Sequence, residues 1–374
     1  MEERSREMGF CFQGNWARRQ PWRGIFALIV SLAVSLVLTA SFNIQEYTGI
    51  VGYLTMSFIP LFVIIGMFWK RVGIIPLEAL SQPFKGILLT TFAGIIGVLT
   101  AMGLISFLGK GVLLPHLILH LVCTIITTFF IALAFGFWPF NKLSPVAGGF
   151  LCVIVAYVIG WVILQFFNFA MLSYPTGVNP SPIGKVPFYA EGGPLAEFVA
   201  LAPMGPFLWE HSLSFYFWGI SIVFAFLLIN FWPFSAFKIT QPLFGILITV
   251  AALVISYIVN FVCIDVLKVE PLRCFLYGVS FVFGILLILI PFEMWPGRAI
   301  GKLLGGVINI LIAIGVGIVA YKVLLSFCQW HFGEGMKYPN DIFAVATLML
   351  GMIFPMWACY SDLFDFWPLP FEKV

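Results

Sequence analysis

Apolar residues run along this chain in long unbroken blocks, not in the alternation of a half-buried strand or the 3.6-residue stripe of a soluble helix. Ten blocks reach about 20 residues, the length a helix needs to cross a hydrocarbon layer of ~30 Å. They cover 24–42, 50–69, 87–108, 112–137, 146–167, 207–231, 243–264, 274–295, 303–328 and 342–361. Lipid offers no partner to an open backbone, so each block predicts a transmembrane helix. The expected fold is therefore all-α and polytopic. A basic N-terminal segment (1–23) leads into a membrane domain (24–361), and a tail (362–374) follows. The longest interruption, 168–206, is rich in Pro and Gly.

The first block follows Arg4, Arg6, Arg18, Arg19 and Arg23 and so resembles a signal peptide. Its 19-residue apolar stretch is longer than such a peptide's core, and no clear small-x-small cleavage site follows. The block predicts a retained helix.

Composition narrows the class. The chain is 61% hydrophobic and 9% charged, against roughly a quarter charged in soluble domains. A soluble enzyme, a coiled coil, a disordered chain and a nucleic-acid-binding domain are excluded. An outer-membrane barrel is excluded too, because its strands alternate. Most of the seven cysteines lie inside apolar blocks, so they form no secreted disulfide framework.

Basic residues set orientation, because Lys and Arg accumulate in cytoplasmic loops. With the N-terminus inside, the five arginines join Lys70, Arg71, Lys85, Lys142, Lys238, Arg298, Lys302 and Lys373 on that side, thirteen of the 19. Lys110, Lys185, Lys268, Arg273, Lys322 and Lys337 fall outside. Both termini are expected in the cytoplasm, the 168–206 loop outside, and the protein in the cell (cytoplasmic or inner) membrane.

A signature recurs where even-numbered blocks end: Phe68-Trp69, Phe137-Trp138-Pro139-Phe140, Phe231-Trp232-Pro233-Phe234, Met294-Trp295-Pro296 and Phe366-Trp367-Pro368. Tryptophan suits the membrane interface, and proline stops a helix. Three of the following blocks open alike, at Gln82-Pro83-x-x-Gly86, Ser144-Pro145-x-x-Gly148 and Gln241-Pro242-x-x-Gly245, and Gly301-Lys302-x-x-Gly305 keeps the glycine. The pattern predicts parallel two-helix repeats, with the tenth helix as a half-unit.

No Asp, Glu, Lys or Arg lies near the middle of any block, where a proton relay would need one. Polar chemistry gathers at the external ends. His116 and His120 share one face of helix 4, His211 opens helix 6, and His331 follows helix 9. The His116–His120 spacing allows a bidentate transition-metal pair, and either could join His211 as axial ligands of a haem; His331 completes the candidate set. The alternative is a histidine pair that is structural or contacts substrate, with no cofactor at all. Glu210-His211, fed into helix 6 by the long loop, is a candidate for solute or cation binding. Pro60 and Pro355, near mid-membrane, free backbone carbonyls that can line a binding site. Asn260 and Asn309 suit interhelical hydrogen bonds.

No Walker loop, dinucleotide fingerprint, haem-attachment motif or zinc-protease motif is present. The leading expectation is a permease or secondary transporter for a small, weakly polar or uncharged solute, more a carrier than an enzyme, with the lipid bilayer as its partner and no nucleic acid. One alternative is a membrane subunit of a redox or metal-dependent complex using the external His/Glu groups. Another is a cofactor-free scaffold that binds partner subunits.

Overall fold

The computed structural model describes residues 20–69, 80–169, 189 and 195–369. Among the described residues, ten helices are long and apolar enough to cross a membrane. They are α1 (Trp22–Thr39), α2 (Ile44–Trp69), α3 (Phe84–Leu108), α4 (Pro115–Ala134), α5 (Pro145–Leu164), α6 (Trp209–Leu228), α7 (Leu243–Val266), α8 (Pro271–Leu289), α9 (Lys302–Gly335) and α10 (Asn340–Leu363). The chain is an all-α, multi-pass membrane protein. Arg4, Arg6, Arg18, Arg19, Lys70, Arg71, Lys185, Glu191 and Lys373 lie outside the described residues.

Three helices depart most from the apolar blocks, and α2 does so by starting at Ile44, ahead of the block's limit at 50. α8 ends at Leu289, short of the block's limit at 295, because the chain turns a corner there on residues with positive φ. α9 runs on to Gly335 and takes His331 into its last turns, where the sequence places that residue beyond the helix.

Burial separates the helices into two sets. The even-numbered helices are 56–78% buried, and the odd-numbered ones 22–33%. The even set forms a closed inner ring. Phe129 of α4 meets Phe224 of α6 at 5.1 Å, Phe217 of α6 meets Phe275 of α8 at 5.1 Å, and Phe283 of α8 meets Trp357 of α10 at 4.7 Å. Gly52 of α2 lies against Thr347 of α10, and α2 packs on α4 to close the circle.

The odd helices form the outer belt, each seated over a joint of the ring through one narrow stripe of small residues. On α5 the buried stripe is Gly148, Cys152, Ala156, Gly160 and Leu164, every fourth residue. On α1 it is Ala27, Ser31, Ser35 and Thr39, and on α9 it is Gly305, Asn309, Ala313 and Gly317. Small side chains let backbones approach closely where lipid supplies no hydrophobic drive between helices. The remaining faces carry exposed Ile, Leu, Val and Phe, as a lipid-facing surface requires.

Each inner helix from α4 onward ends on the same corner. Gly136-Phe137, Asn230-Phe231, Glu293-Met294 and Asp365-Phe366 are four pairs of consecutive residues with φ between 48° and 64°. In three of them the second residue donates its N–H six residues back, Phe137 to Ile131, Met294 to Ile288 and Phe366 to Tyr360. This is the bond that satisfies a carbonyl at a helix C-terminus.

Each corner receives the start of another helix. Gln82 accepts from the Gly86 N–H at 3.2 Å and donates to the Leu363 carbonyl at 2.8 Å. Gln241 accepts from Gly245 and donates to Ala134. Gln20 accepts from Gly24 and donates to Pro291. One amide thereby caps an orphan donor at one helix start and an orphan acceptor at another helix end. Trp69 donates to the Pro145 carbonyl, and Gly306 lies against Leu228 and Ile229. The ends of α2, α4, α6, α8 and α10 thus take the starts of α5, α7, α9, α1 and α3.

Candidate functional site

The inner ring encloses an apolar cavity of about 100 Å³ to which all five inner helices contribute. α6 offers Leu213, Phe217, Ile220 and Phe224, and α8 offers Phe275, Val279, Val282 and Leu286. Steps of three and four residues keep each set on one helix face. α4 adds Val122, Ile125 and Phe129, and α10 adds Phe343, Thr347, Leu350 and Phe354. Thr48, Met56 and Ile59 come from α2. Among the described residues, no charged side chain lines the cavity, and Thr48 and Thr347 bring its only hydroxyls.

Aromatic rings bound both ends. Toward the tryptophan–proline end, Phe129 reaches Phe224 on one side and Phe354 on the other, at 5.1 and 6.1 Å, forming a floor. At the opposite end the cavity residue Phe343 stacks on Trp209 at 6.5 Å, and Trp209 stacks on Phe169 at 5.9 Å. Phe169 leaves a short parallel pairing of Phe167–Asn168 with Phe207–Leu208, which lies at that end of the ring.

Pro60 and Pro355 sit on adjacent inner helices, and each directly follows a cavity residue, Ile59 or Phe354. Neither proline ring itself lines the cavity. Both lie in interrupted helix. Pro60 follows a turn at Phe58, and Pro355 follows a π-helical stretch over Thr347–Ile353. Such π turns displace side chains from regular register and recur at functional sites.

Glu210 begins α6 one turn beyond Leu213 and is 4% exposed, with its Oε2 buried and without a hydrogen-bond partner. Around it, Arg273 binds Glu270 at 2.9 Å and Asp341 at 3.5 Å, linking the starts of α8 and α10. Sequence reading singles out Glu210 but misses this ionic triad. Glu270 and Arg273 are three residues apart at the start of α8, and the ring brings the distant Asp341 to them.

The four histidines lie at the same end of the bundle but are spread around it. His116 Nδ1 hydrogen-bonds the Tyr189 hydroxyl at 2.7 Å, and its ring packs on Trp161 and Phe169. His120 Nε2 bonds the Tyr157 carbonyl at 3.0 Å. Both therefore turn toward α5. His211 lies within electrostatic reach of Asp265 at the end of α7, and His331 bonds the Phe42 carbonyl in the turn between α1 and α2. The structure brings together His116 and His120, and leaves His211 and His331 in separate surroundings. Among the described residues, no three of His, Cys, Asp or Glu converge as a metal-holding group. Burial and an apolar cage push the Tyr189 hydroxyl's pKa upward, while its bond to His116 opposes that rise.

Asn309 donates to the Met294 carbonyl and accepts from the Gly297 N–H, tying α9 to the corner after α8, and Asn260 donates to Ser256 within α7 and accepts from the Cys274 thiol of α8. Comparison with protein-family models, with curated proteins and with solved structures finds no match to this chain.

Proposed function

We propose that this chain is a permease of the cell membrane that passes a small, weakly polar or uncharged solute along the axis of its inner helical ring. The observation that carries the reading is the cavity on that axis, walled by five helices and lined, among the described residues, by no charged side chain. An apolar cavity of roughly 150 Å³ in a soluble protein stays dry and holds benzene, and at about 100 Å³ this one suits a smaller solute. Broken helices beside the cavity, at Pro60 and Pro355, give the wall places to bend.

In this reading the chain is built of parallel two-helix units. The recurring corners and glutamine clamps support a common unit, and the clamps extend the motif to Gln20-Pro21-x-x-Gly24 at α1. The tryptophan–proline end is cytoplasmic, supported by Lys85, Lys142, Lys238, Arg298 and Lys302 gathering there. The 168–206 segment and the Glu210 triad are external.

The alternative, a cofactor-bearing membrane subunit, rests on His116 and His120. Their turn toward α5, away from His211 and from the ring axis, favours the permease.

Uptake into proteoliposomes across solute classes tests the reading. Saturable flux of a compact apolar solute, blocked when Ile220→Trp fills the cavity, is the expected result. Flux that never saturates and ignores that substitution would remove the proposal. An absorption spectrum and elemental analysis of the purified protein separate it from the cofactor reading.

A further inference from the structure

We infer that Cys263 and Cys274 are joined by a disulfide at the external face, a staple between the end of α7 and the start of α8. This goes beyond the permease reading and rests only on its placing that end of the bundle outside.

The backbone brings the two residues together. The Val269 N–H donates to the Cys263 carbonyl at 2.9 Å, and the Cys274 N–H donates to the Glu270 carbonyl at 2.9 Å. Val269 and Glu270 are neighbours, so the connection from α7 to α8 holds both cysteines close to one point. The side chains follow. The Cys274 thiol donates to Asn260 Oδ1 at 3.8 Å, and Asn260 lies one turn before Cys263 on α7. The two sulfur atoms are within hydrogen-bonding reach of each other.

Both residues are thiols in this structure, Cys263 half-buried and Cys274 buried. Asp265 and Lys268, shortly after Cys263, are exposed, so the pair stands at the water boundary and not within the hydrocarbon. Other cysteines are placed differently. Cys123, Cys152 and Cys328 are buried on α4, α5 and α9, and Cys359 of α10 bonds the Thr90 hydroxyl. Disulfides form and persist in oxidising compartments outside the cytoplasm. The staple also holds the cavity wall, because Phe275 directly follows Cys274, lines the cavity and meets Phe217 at 5.1 Å.

The chemistry is thiol–disulfide exchange with a disulfide-bearing oxidant of that compartment. The thiolate of Cys263, the more exposed of the two, attacks one sulfur of the oxidant, forming a mixed disulfide and expelling the oxidant's other sulfur as a thiolate. The Cys274 thiolate then attacks the Cys263 sulfur, forming the protein disulfide and freeing the oxidant's remaining sulfur. Two electrons pass to the oxidant, which leaves reduced, its two sulfurs carrying the two protons that the cysteines gave up. Closure takes the sulfurs to about 2.05 Å, a small step for thiols already within reach of each other.

The test is a thiol count on the full-length protein, denatured straight from its own membranes into N-ethylmaleimide before any reductant is added. Wild-type protein is expected to take up two further maleimides after reduction, with peptide mapping finding Cys263 linked to Cys274. Cys263→Ser is expected to take up none. Reduction of the folded protein is expected to lower the thermal midpoint of wild type by several degrees and to leave that of Cys263→Ser unmoved. Orientation is read separately. In a Cys263→Ser, Cys274→Ser background, Lys268→Cys is expected to react with a membrane-impermeant maleimide on intact cells. Free thiols at both positions in wild type, or a disulfide mapped to another pair, would overturn the assignment and, with Lys268→Cys labelled from outside, leave the orientation standing. Free thiols with Lys268→Cys labelled only after the cells are opened would overturn both.

Discussion

The side-chain amide of Gln82 donates to the main-chain carbonyl of Leu363, 281 residues further along the chain, at 2.8 Å. The bond joins the start of α3 to the end of α10, and the same group reaches Asp365 at 3.1 Å. It makes the last helix a structural partner of the third, so the inner ring is complete only once α10 is in place. Gln82→Ala strands the Leu363 carbonyl and the Gly86 N–H together. A buried polar group left unpaired costs about 1–3 kcal/mol. We expect Gln82→Ala and Gln241→Ala each to lower the thermal midpoint in detergent by several degrees, with Gln82→Glu no better because it cannot donate. Unchanged melting in both alanine variants would show that the clamps carry no stability.

Beside each clamp a glycine meets an aromatic ring. A Cβ at Gly245 would stand 2.5 Å from the Phe135 ring, one at Gly86 2.5 Å from Phe364, and one at Gly24 2.6 Å from Phe292. Such separations are impossible, so Gly245→Ala has to displace α7 or the ring, at about 1–3 kcal/mol. Removing the ring makes room. The double variant Gly245→Ala with Phe135→Ala is expected to melt closer to Phe135→Ala alone than additivity allows. A double-mutant cycle with no coupling would contradict the contact.

Much of this architecture is legible in the residues, and the limits are physical. Block length and charge poverty give ten helices, because lipid as solvent leaves little choice of secondary structure. Tryptophan–proline punctuation marks the corners because the backbone has to leave the helix there. The Gln20-Pro21-x-x-Gly24 start escapes the sequence reading because it is buried among five arginines that read as a leader. Inner and outer helices are equally apolar in sequence and differ in stripe width. α5 and α9 betray their outer position only through a small residue at every fourth place. Which helix meets which corner is set by contacts far apart in sequence, such as Gln241 with Ala134, and no local pattern reports them. The same holds for the contact of Arg273 with Asp341, whereas Glu270 is its i,i+3 neighbour.

Arg23, 3% exposed, pairs with Glu293 and lies over the Phe366 ring at 4.6 Å. It ties the start of α1 to the corners after α8 and α10. The two members of the pair are not equivalent, because the Glu293 side chain is 35% exposed and water reaches it when the arginine is gone. Glu293→Ala instead takes a carboxylate from a buried guanidinium, the costlier of the two losses. We expect Arg23→Met to melt above Glu293→Ala, and the double variant to recover part of the loss. If Glu293→Ala is the milder change, the pair does not carry the charge balance assigned to it.

Phe129 decides whether the axis is a path. Its ring bridges Phe224 and Phe354 across the floor of the cavity. Phe129→Ala withdraws that bridge and, as a core truncation, costs about 3–5 kcal/mol of stability. In proteoliposomes this variant is expected to raise solute efflux several-fold and blunt its saturation, with Phe129→Leu in between. Ile220→Trp, acting one level higher in the same cavity, is expected to do the reverse and to suppress the leak when combined with Phe129→Ala. The pair of opposing changes separates a conducting axis from a merely weakened fold, because a general loss of packing would not be corrected by filling the well. Wild-type flux in a folded Phe129→Ala protein would place the solute's route elsewhere.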